Sequence, residues 1–364
     1  MLIAAGAVLG GGLLLLWGVL VALSPGKPPA FRDDAGRRLP RSISEKLCVQ
    51  INGVEQGMFI VGKDRFRPVL LFVHGGPGMP EYALSLRYPT VLEDLFTVCW
   101  WEQRGAGLSQ GGELPLHGLT MEQLVSDTLT VADYLRARFR QEKVFLLGHS
   151  WGTALALQAA ARAPERFRAY VAMAQVTRQL DSEKEAYAYL LDAYRRTGDR
   201  RMVAALEANP LPEMSAMPPA YRALRDEAMH RVGVGTTRKM RSVFSGIFLP
   251  VWASRVYTVR EKFALWRGKW SEHSTRMWNR LLTTDLPALI PRLEVPAYFL
   301  HGSFDHTVSY ALAKAYLTRL EAPAKGFYTF AGSAHSPLFE EPERARRILR
   351  DDVLAGTHAL ADRG

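Results

Sequence analysis

The segment Val144-Phe-Leu-Leu-Gly-His-Ser-Trp-Gly-Thr-Ala-Leu-Ala-Leu-Gln158 constrains this chain most, because a strand, a tight turn and a helix must follow one another within it. Val144 to Leu147 is a short apolar run with β-branched and aromatic content, which reads as a buried strand. From Thr153 onward the pattern is helical. Between them, Gly148-His-Ser-Trp-Gly152 leaves room only for a sharp turn with Ser150 at its apex. Flanking side chains would collide in such a turn, which is why glycines stand on both sides of the serine. A strand passing straight into a helix belongs to a mostly parallel sheet, and the C-terminal ends of such strands are where open α/β sheets carry their sites.

The rest of the chain follows that rule with one interruption. Lys46 to Ile51 and Val54 to Val61 flank Asn52-Gly53, a two-residue hairpin signal. Further apolar runs at Val69 to Val73, Phe96 to Trp101 and Tyr170 to Ala174 alternate with helical patterns. Those patterns are clearest at Thr120 to Arg138, opened by a capping box at Thr120-Met-Glu-Gln123, and at Thr153 to Ala163. From about Arg178 to Asp285 the pattern is irregular and helical, and then Ala297 to Leu300, Tyr310 to Leu320 and Gly326 to Phe330 resume strand, helix, strand. The predicted architecture is α/β. Residues 43–177 and 286–358 form a mostly parallel sheet with helices on both faces, and residues 178–285 form an inserted helical cap.

Leu2 to Leu23 carry no charge, enough helix to cross a bilayer. This predicts a transmembrane anchor over residues 1–24 and a Pro-, Gly- and Arg-rich linker over 25–42. The rival, a cleaved signal segment, lacks a basic residue ahead of the apolar run and has Pro25 at its cleavage point. Lys27, Arg32, Arg37, Arg38 and Arg41 follow the run, so the positive-inside rule assigns the folded part to the cytoplasm and makes membrane lipid a partner. The formal charge of +10 comes from scattered residues with no nucleic-acid-binding motif, so nucleic acid is not an expected partner. Two cysteines build no disulfide framework, and Cys99 and Cys48, both in strand-like runs, are expected to be small buried hydrophobes.

A serine hydroxyl needs a base beside it, and the base needs a group that orients it. Strand-end loops downstream of Ser150 offer both, in the order acid then histidine: Asp305 in His301-Gly-Ser-Phe-Asp305 and His335 in Ala331-Gly-Ser-Ala-His335. Of the other histidines, His301 and His149 flank these positions and read as structural. His306 and His74 sit in loops near the site. A developing oxyanion needs two backbone donors. Trp151 N–H follows the nucleophile, and His74-Gly-Gly-Pro-Gly78, directly after the strand at 69–73, offers Gly76 N–H, with Gly75 and His74 in support.

His74-Gly-Gly-Pro-Gly78, Trp101-Glu-Gln-Arg-Gly-Ala-Gly107 and Gly148-His-Ser-Trp-Gly-Thr153 together resemble the proline iminopeptidase (prolyl aminopeptidase) branch of the α/β-hydrolases. The resemblance covers residues 45–175 well and 290–356 moderately. It implies an α/β-hydrolase core with a helical cap, and a Ser-Asp-His triad at Ser150, Asp305 and His335. It further implies Gly76 and Trp151 as oxyanion donors, release of N-terminal proline from peptides, and no metal or cofactor. The branch's Asp-Gln-Arg-Gly reads Glu102-Gln103-Arg104-Gly105 here, which keeps a site-supporting role for Glu102 and Arg104. The branch also holds the substrate's amino group with cap glutamates, one in a Trp-x-x-Trp-Glu stretch that this chain lacks. Glu183, Glu185, Glu207, Glu213, Glu227, Glu261 and Glu272 lie in the cap outside any such motif and read as solvated helix residues.

Two expectations compete for the substrate. One is a short peptide, with an acidic pocket for its ammonium group. The other is an apolar ester or amide, favoured by the membrane segment and by the aromatic cap residues Phe244, Phe248, Trp252, Tyr257, Phe263, Trp266, Trp270 and Trp278.

Overall fold

The computed structural model describes residues 11, 12, 14, 15, 17–111, 119–211 and 217–363. Strands β1 (Ile43–Ile51) and β2 (Val54–Gly62) pair antiparallel around Asn52 and Gly53, both at positive φ (48° and 77°) as a two-residue hairpin turn requires. They are followed by β3 (Val69–Val73), β4 (Thr97–Trp101), β5 (Val144–His149), β6 (Phe167–Met173), β7 (Ala297–Gly302) and β8 (Lys325–Phe330). The eight strands form one sheet in the order β1-β2-β4-β3-β5-β6-β7-β8, parallel from β4 to β8.

Helix α1 (Tyr82–Arg87) follows β3, α2 (Met121–Phe139) precedes β5, and α3 (Trp151–Arg162) leaves it. The cap contains α4 (Gln179–Thr197), α5 (Arg200–Glu207), α6 (Pro219–Arg231), α7 (Leu249–Ala253), α8 (Val259–Lys269) and α9 (Glu272–Leu282), all between β6 and β7. Then come α10 (Leu286–Leu289), α11 (Tyr310–Arg319), α12 (Pro337–Glu340) and α13 (Pro342–Ile348). Alternate residues of β3 enter different cores. Val69, Leu71 and Val73 pack with α2 and α3, while Leu70 and Phe72 pack with residues of α1 and α13. Burial on both faces is why the central strands read as unbroken apolar runs rather than alternating ones. The cap has an apolar cluster of its own around Leu190, Tyr194, Leu206, Tyr221 and Met229.

Two local expectations come out differently. Thr120 caps α2 by accepting Gln123 N–H at 3.1 Å, but the Gln123 side chain turns to Asp127 instead of closing a capping box. A complete box stands at Thr258 and Glu261, opening α8. Cys48 is exposed, not buried, because β1 is an edge strand; Cys99, on β4 inside the sheet, is buried.

Much of the apolar run Leu2 to Leu23 lies outside the described residues, and among the described residues no helix is long and apolar enough to cross a membrane. Residues 24–27 dock on the cap. Lys262 Nζ donates to Ser24 Oγ (2.7 Å) and to Trp252 O (2.6 Å), and the Gly26 and Lys27 N–H groups both donate to Arg255 O. Lys46 of β1 pairs with Glu261 of α8 at 2.9 Å, so the hairpin also touches the cap.

Candidate active site

Strand β5 ends at His149 and α3 begins at Trp151, which leaves Ser150 alone on the turn at φ 52° and ψ −122°. That backbone conformation is costly for a residue with a Cβ and persists only when its surroundings fix it. The surroundings are tight. A Cβ on Gly148 would lie 2.7 Å from Gly152 O, and one on Gly152 would lie 2.0 Å from Val73 O. Ser150 N–H donates to Met173 O at 2.9 Å, and Thr153 Oγ1 donates to Ser150 O at 2.6 Å. The elbow is therefore wedged between β3 and β6, with the serine raised toward a cavity of about 700 Å³ under the cap.

The loop after β3 borders the same cavity. Gly76 has φ 126°, where a Cβ would meet Gly78 N at 2.6 Å. Among the described residues, neither Gly76 N–H nor Trp151 N–H has an acceptor. Both remain available to an oxygen placed beside Ser150. Gln103, which the motif reading passed over, clamps this loop to the elbow. Its side-chain N–H donates to His74 O at 2.8 Å, and its side-chain oxygen accepts from Trp151 Nε1 at 3.0 Å. His74 Nε2 accepts Gln103 N–H at 3.1 Å, a role that needs an unprotonated nitrogen; burial pulls the His74 pKa down to about 4.

His335 lines the cavity, and its Nδ1–H donates to Asp305 Oδ2 at 2.9 Å. Asp305 Oδ1 accepts the N–H groups of Thr307 (2.8 Å) and Val308 (2.9 Å), and His301 Nε2 stands 3.2 Å from Oδ2. Burial would raise the Asp305 pKa. The charge of His335 and hydrogen bonds from His301 and His335 outweigh it and hold the carboxyl well below the usual range. For His335 burial wins the other way, lowering its pKa despite the opposing pull of Asp305. No hydrogen bond joins Ser150 Oγ to His335 among the described contacts; such bonds often tighten only with substrate present.

His149 and Glu81 form a second buried pair at the wall of the same cavity. His149 Nδ1 lies 2.8 Å from Glu81 Oε1, which also accepts Gly75 N–H at 2.9 Å, and His149 Nε2 lies 3.2 Å from His335 O. Burial opposes charge on both groups, but their mutual attraction prevails, so the histidine pKa is raised and the carboxyl pKa lowered. His149 thus ties the oxyanion loop to the backbone of His335.

Glu102 and Arg104 face away from the cavity. Arg104 makes a buried two-point pair with Asp127 (2.7 and 2.9 Å) and reaches the hairpin carbonyls of Ile51 and Asn52. Glu102 is bonded to the Tyr257 hydroxyl and to Leu108 N–H. Burial raises its pKa to about 8, against the pull of those two bonds.

Among the described residues, none of the cap glutamates named from sequence lines the cavity. Glu183 is fully buried rather than solvated, gripped by Arg225 Nε (2.6 Å) and Nη2 (2.7 Å). Glu261 pairs with Lys46, Glu207 with Arg195, and Glu227 with Arg231; Glu213 lies outside the described residues. The acids that do line the cavity are Glu81 and Asp226, neither of which any motif marks. Opposite them runs an aromatic wall containing Phe244 stacked on Phe248 and Trp266 stacked on Trp270.

Residues 68–342 match the family described as alpha/beta hydrolase fold. The chain belongs to the α/β-hydrolase family. Among its relatives, this hydrolase is 31% identical over 312 residues to a probable aminopeptidase, YbaC, of Bacillus subtilis, across 83% of this chain and 94% of that one. It is 29% identical over 174 residues to a proline iminopeptidase of Thermoplasma volcanium, across 45% of this chain and 56% of that one. The solved structure of a proline iminopeptidase from Mycobacterium smegmatis superposes with a TM-score of 0.61 at 17% identity, covering 85% of this chain and 98% of that one, a likeness of fold. The hydrolase thus resembles the proline iminopeptidase branch, as its motifs imply.

Proposed function

We propose that this protein is a serine hydrolase that releases N-terminal residues from short peptides. The observation that carries the reading is the strained Ser150, raised into a cavity shared with His335 and Gly76, with the Gly76 and Trp151 N–H groups lacking acceptors among the described residues. Ser150 Oγ attacks the scissile carbonyl carbon as His335 Nε2 takes its proton. Asp305 holds the ring through Nδ1–H and balances the imidazolium that forms. Gly76 and Trp151 N–H receive the oxyanion, a contribution of roughly 3 kcal/mol per donor in comparable sites. Collapse expels the amine, protonated by His335, and water then hydrolyses the acyl-enzyme by the same route.

The aminopeptidase assignment is supported by the relatives named above and by two carboxylates at the cavity wall that could face an ammonium group: Glu81, whose Oε2 has no hydrogen-bond partner among the described residues, and the half-exposed Asp226. A second reading, an ester or amide of an apolar acid, is favoured by the aromatic wall and by the lack of a cap glutamate in the cavity lining among the described residues.

Ser150→Ala should abolish turnover while the protein keeps its fold by circular dichroism, and retained activity would remove the nucleophile assignment. Prolyl and alanyl arylamides assayed beside short p-nitrophenyl esters separate the two substrates. Turnover of esters alone removes the aminopeptidase reading.

A further inference from the structure

The charged groups around the cavity do not cancel. Glu183 neutralises Arg225 and Glu81 is paired with His149, which leaves the Asp226 carboxylate, 3.2 Å from Arg225 Nη1, as one negative charge against two positive ones. Lys269 and Arg222 remain; both line the cavity, and neither forms an ion pair among the described residues. Lys269 is placed by the fold rather than by chance. It ends α8 directly on the oxyanion loop, so that a Cβ on Gly78 would lie 3.1 Å from Gly268 O and 3.4 Å from Lys269 Cα. Its Nζ sits 3.4 Å from Pro77 O, one residue from Gly76. Arg222 spends one guanidinium nitrogen on Thr275 Oγ1 at 3.4 Å and leaves the others free. Burial disfavours the charged form of Lys269, and an anion brought into the cavity would relieve that cost.

We propose that Lys269, assisted by Arg222, forms a carboxylate subsite, which makes dipeptides with a free C-terminus the preferred peptides of this cavity. In a dipeptide the terminal carboxylate is separated from the scissile carbonyl carbon only by the amide nitrogen and one α-carbon. Lys269 Nζ, bonded to Pro77 O, puts a cation on the oxyanion loop itself, close to where that carboxylate would fall, and a longer peptide would put an uncharged amide there instead. The inference rests on the peptide reading of the Ser150 site and adds a requirement to it.

Calorimetric titration of Ser150→Ala protein with prolyl-alanine and prolyl-alaninamide tests the subsite without turnover. The acid should bind about tenfold more tightly than the amide, the scale of one hydrogen bond to a charged group. Adding Lys269→Met should bring the two within about twofold, whereas Lys269→Arg should keep the preference. Equal affinities in Ser150→Ala protein overturn the proposal, as does no measurable binding of the acid, or a preference that survives Lys269→Met in protein with an unchanged melting curve. Turnover of the two ligands by the intact enzyme reports separately on the peptidase reading. An enzyme that binds the acid selectively yet cleaves only esters defeats that reading and leaves the carboxylate subsite standing.

Discussion

Replacing Glu183 by Gln tests whether a buried charge pair between α4 and α6 holds the cap together beside the acid loop. The Glu183 side chain is fully buried and that of Arg225 nearly so, and two N–H groups of the guanidinium meet two carboxylate oxygens at 2.6 and 2.7 Å. A Gln side chain keeps the shape but offers one acceptor where two are used, and its NH2 faces the other Arg225 donor. Breaking a buried pair from one side costs about 3–5 kcal/mol, because the remaining charge stays desolvated. Asp226 Oδ1, 3.2 Å from Nη1 and half-exposed, leaves Arg225 some compensation, which points to about 3 kcal/mol. Urea unfolding followed by tryptophan fluorescence and circular dichroism, with coincident transitions, measures the loss. The double change Glu183→Leu with Arg225→Met removes both charges and should recover most of it. A single variant within about 1 kcal/mol of the parent, the worth of an exposed pair, would refute the reasoning, as would a double variant no better than the single one. The effect should also reach the chemistry. Gln179 side-chain N–H groups donate to both Glu183 Oε1 and Thr307 O, and Thr307 N–H donates to Asp305, so kcat should fall more than KM rises.

Two further outcomes follow from titration. Burial lowers the pKa of His335, the proposed base, so the acid limb of the kcat/KM profile should have its midpoint below the ordinary histidine value of 6.5, and a midpoint above that value contradicts the assignment. Glu102 has its folded pKa raised from 4.5 to about 8, so across that range the folded state holds a proton that the unfolded state has released. Stability attributable to Glu102 therefore falls as pH rises, by an amount on the order of a few kcal/mol, and Glu102→Gln should flatten the dependence of the urea midpoint between about pH 5 and pH 9. An unchanged slope would show that another group is responsible.

The parts of this molecule visible in its sequence are those encoded by neighbours along the chain. The elbow at Ser150, the hairpin at Asn52-Gly53 and the loop containing Gly76 each depend on glycines within a few residues, so local pattern suffices. Asp305 and His335 are far from Ser150 in sequence, but each follows a recognisable strand, and parallel register brings those strand ends together. What could not be read is what comes from long-range pairing. Glu183 lies on a helix whose periodicity says nothing of Arg225, 42 residues away. Glu81 takes its meaning from His149, 68 residues on, and Gln103 from His74 and Trp151. A glutamate on a cap helix and a glutamate buried against arginine look alike until the fold pairs them. Glu102 and Arg104 match a motif, yet they brace the hairpin and Tyr257 rather than face the cavity.

The attachment of residues 24–27 to the cap has a mechanical consequence. Ser24 is bound by Lys262 of α8, and Gly26 and Lys27 by the Arg255 carbonyl, so residues 24–27 are fastened to the cap, while Pro29 O just beyond them accepts from Ser44 Oγ of β1. A pull on residues 24–27 acts on α8, the helix that carries Trp266 into the aromatic wall and Lys269 to the oxyanion loop. Lifting that helix means breaking these bonds or moving residues 24–27 with it.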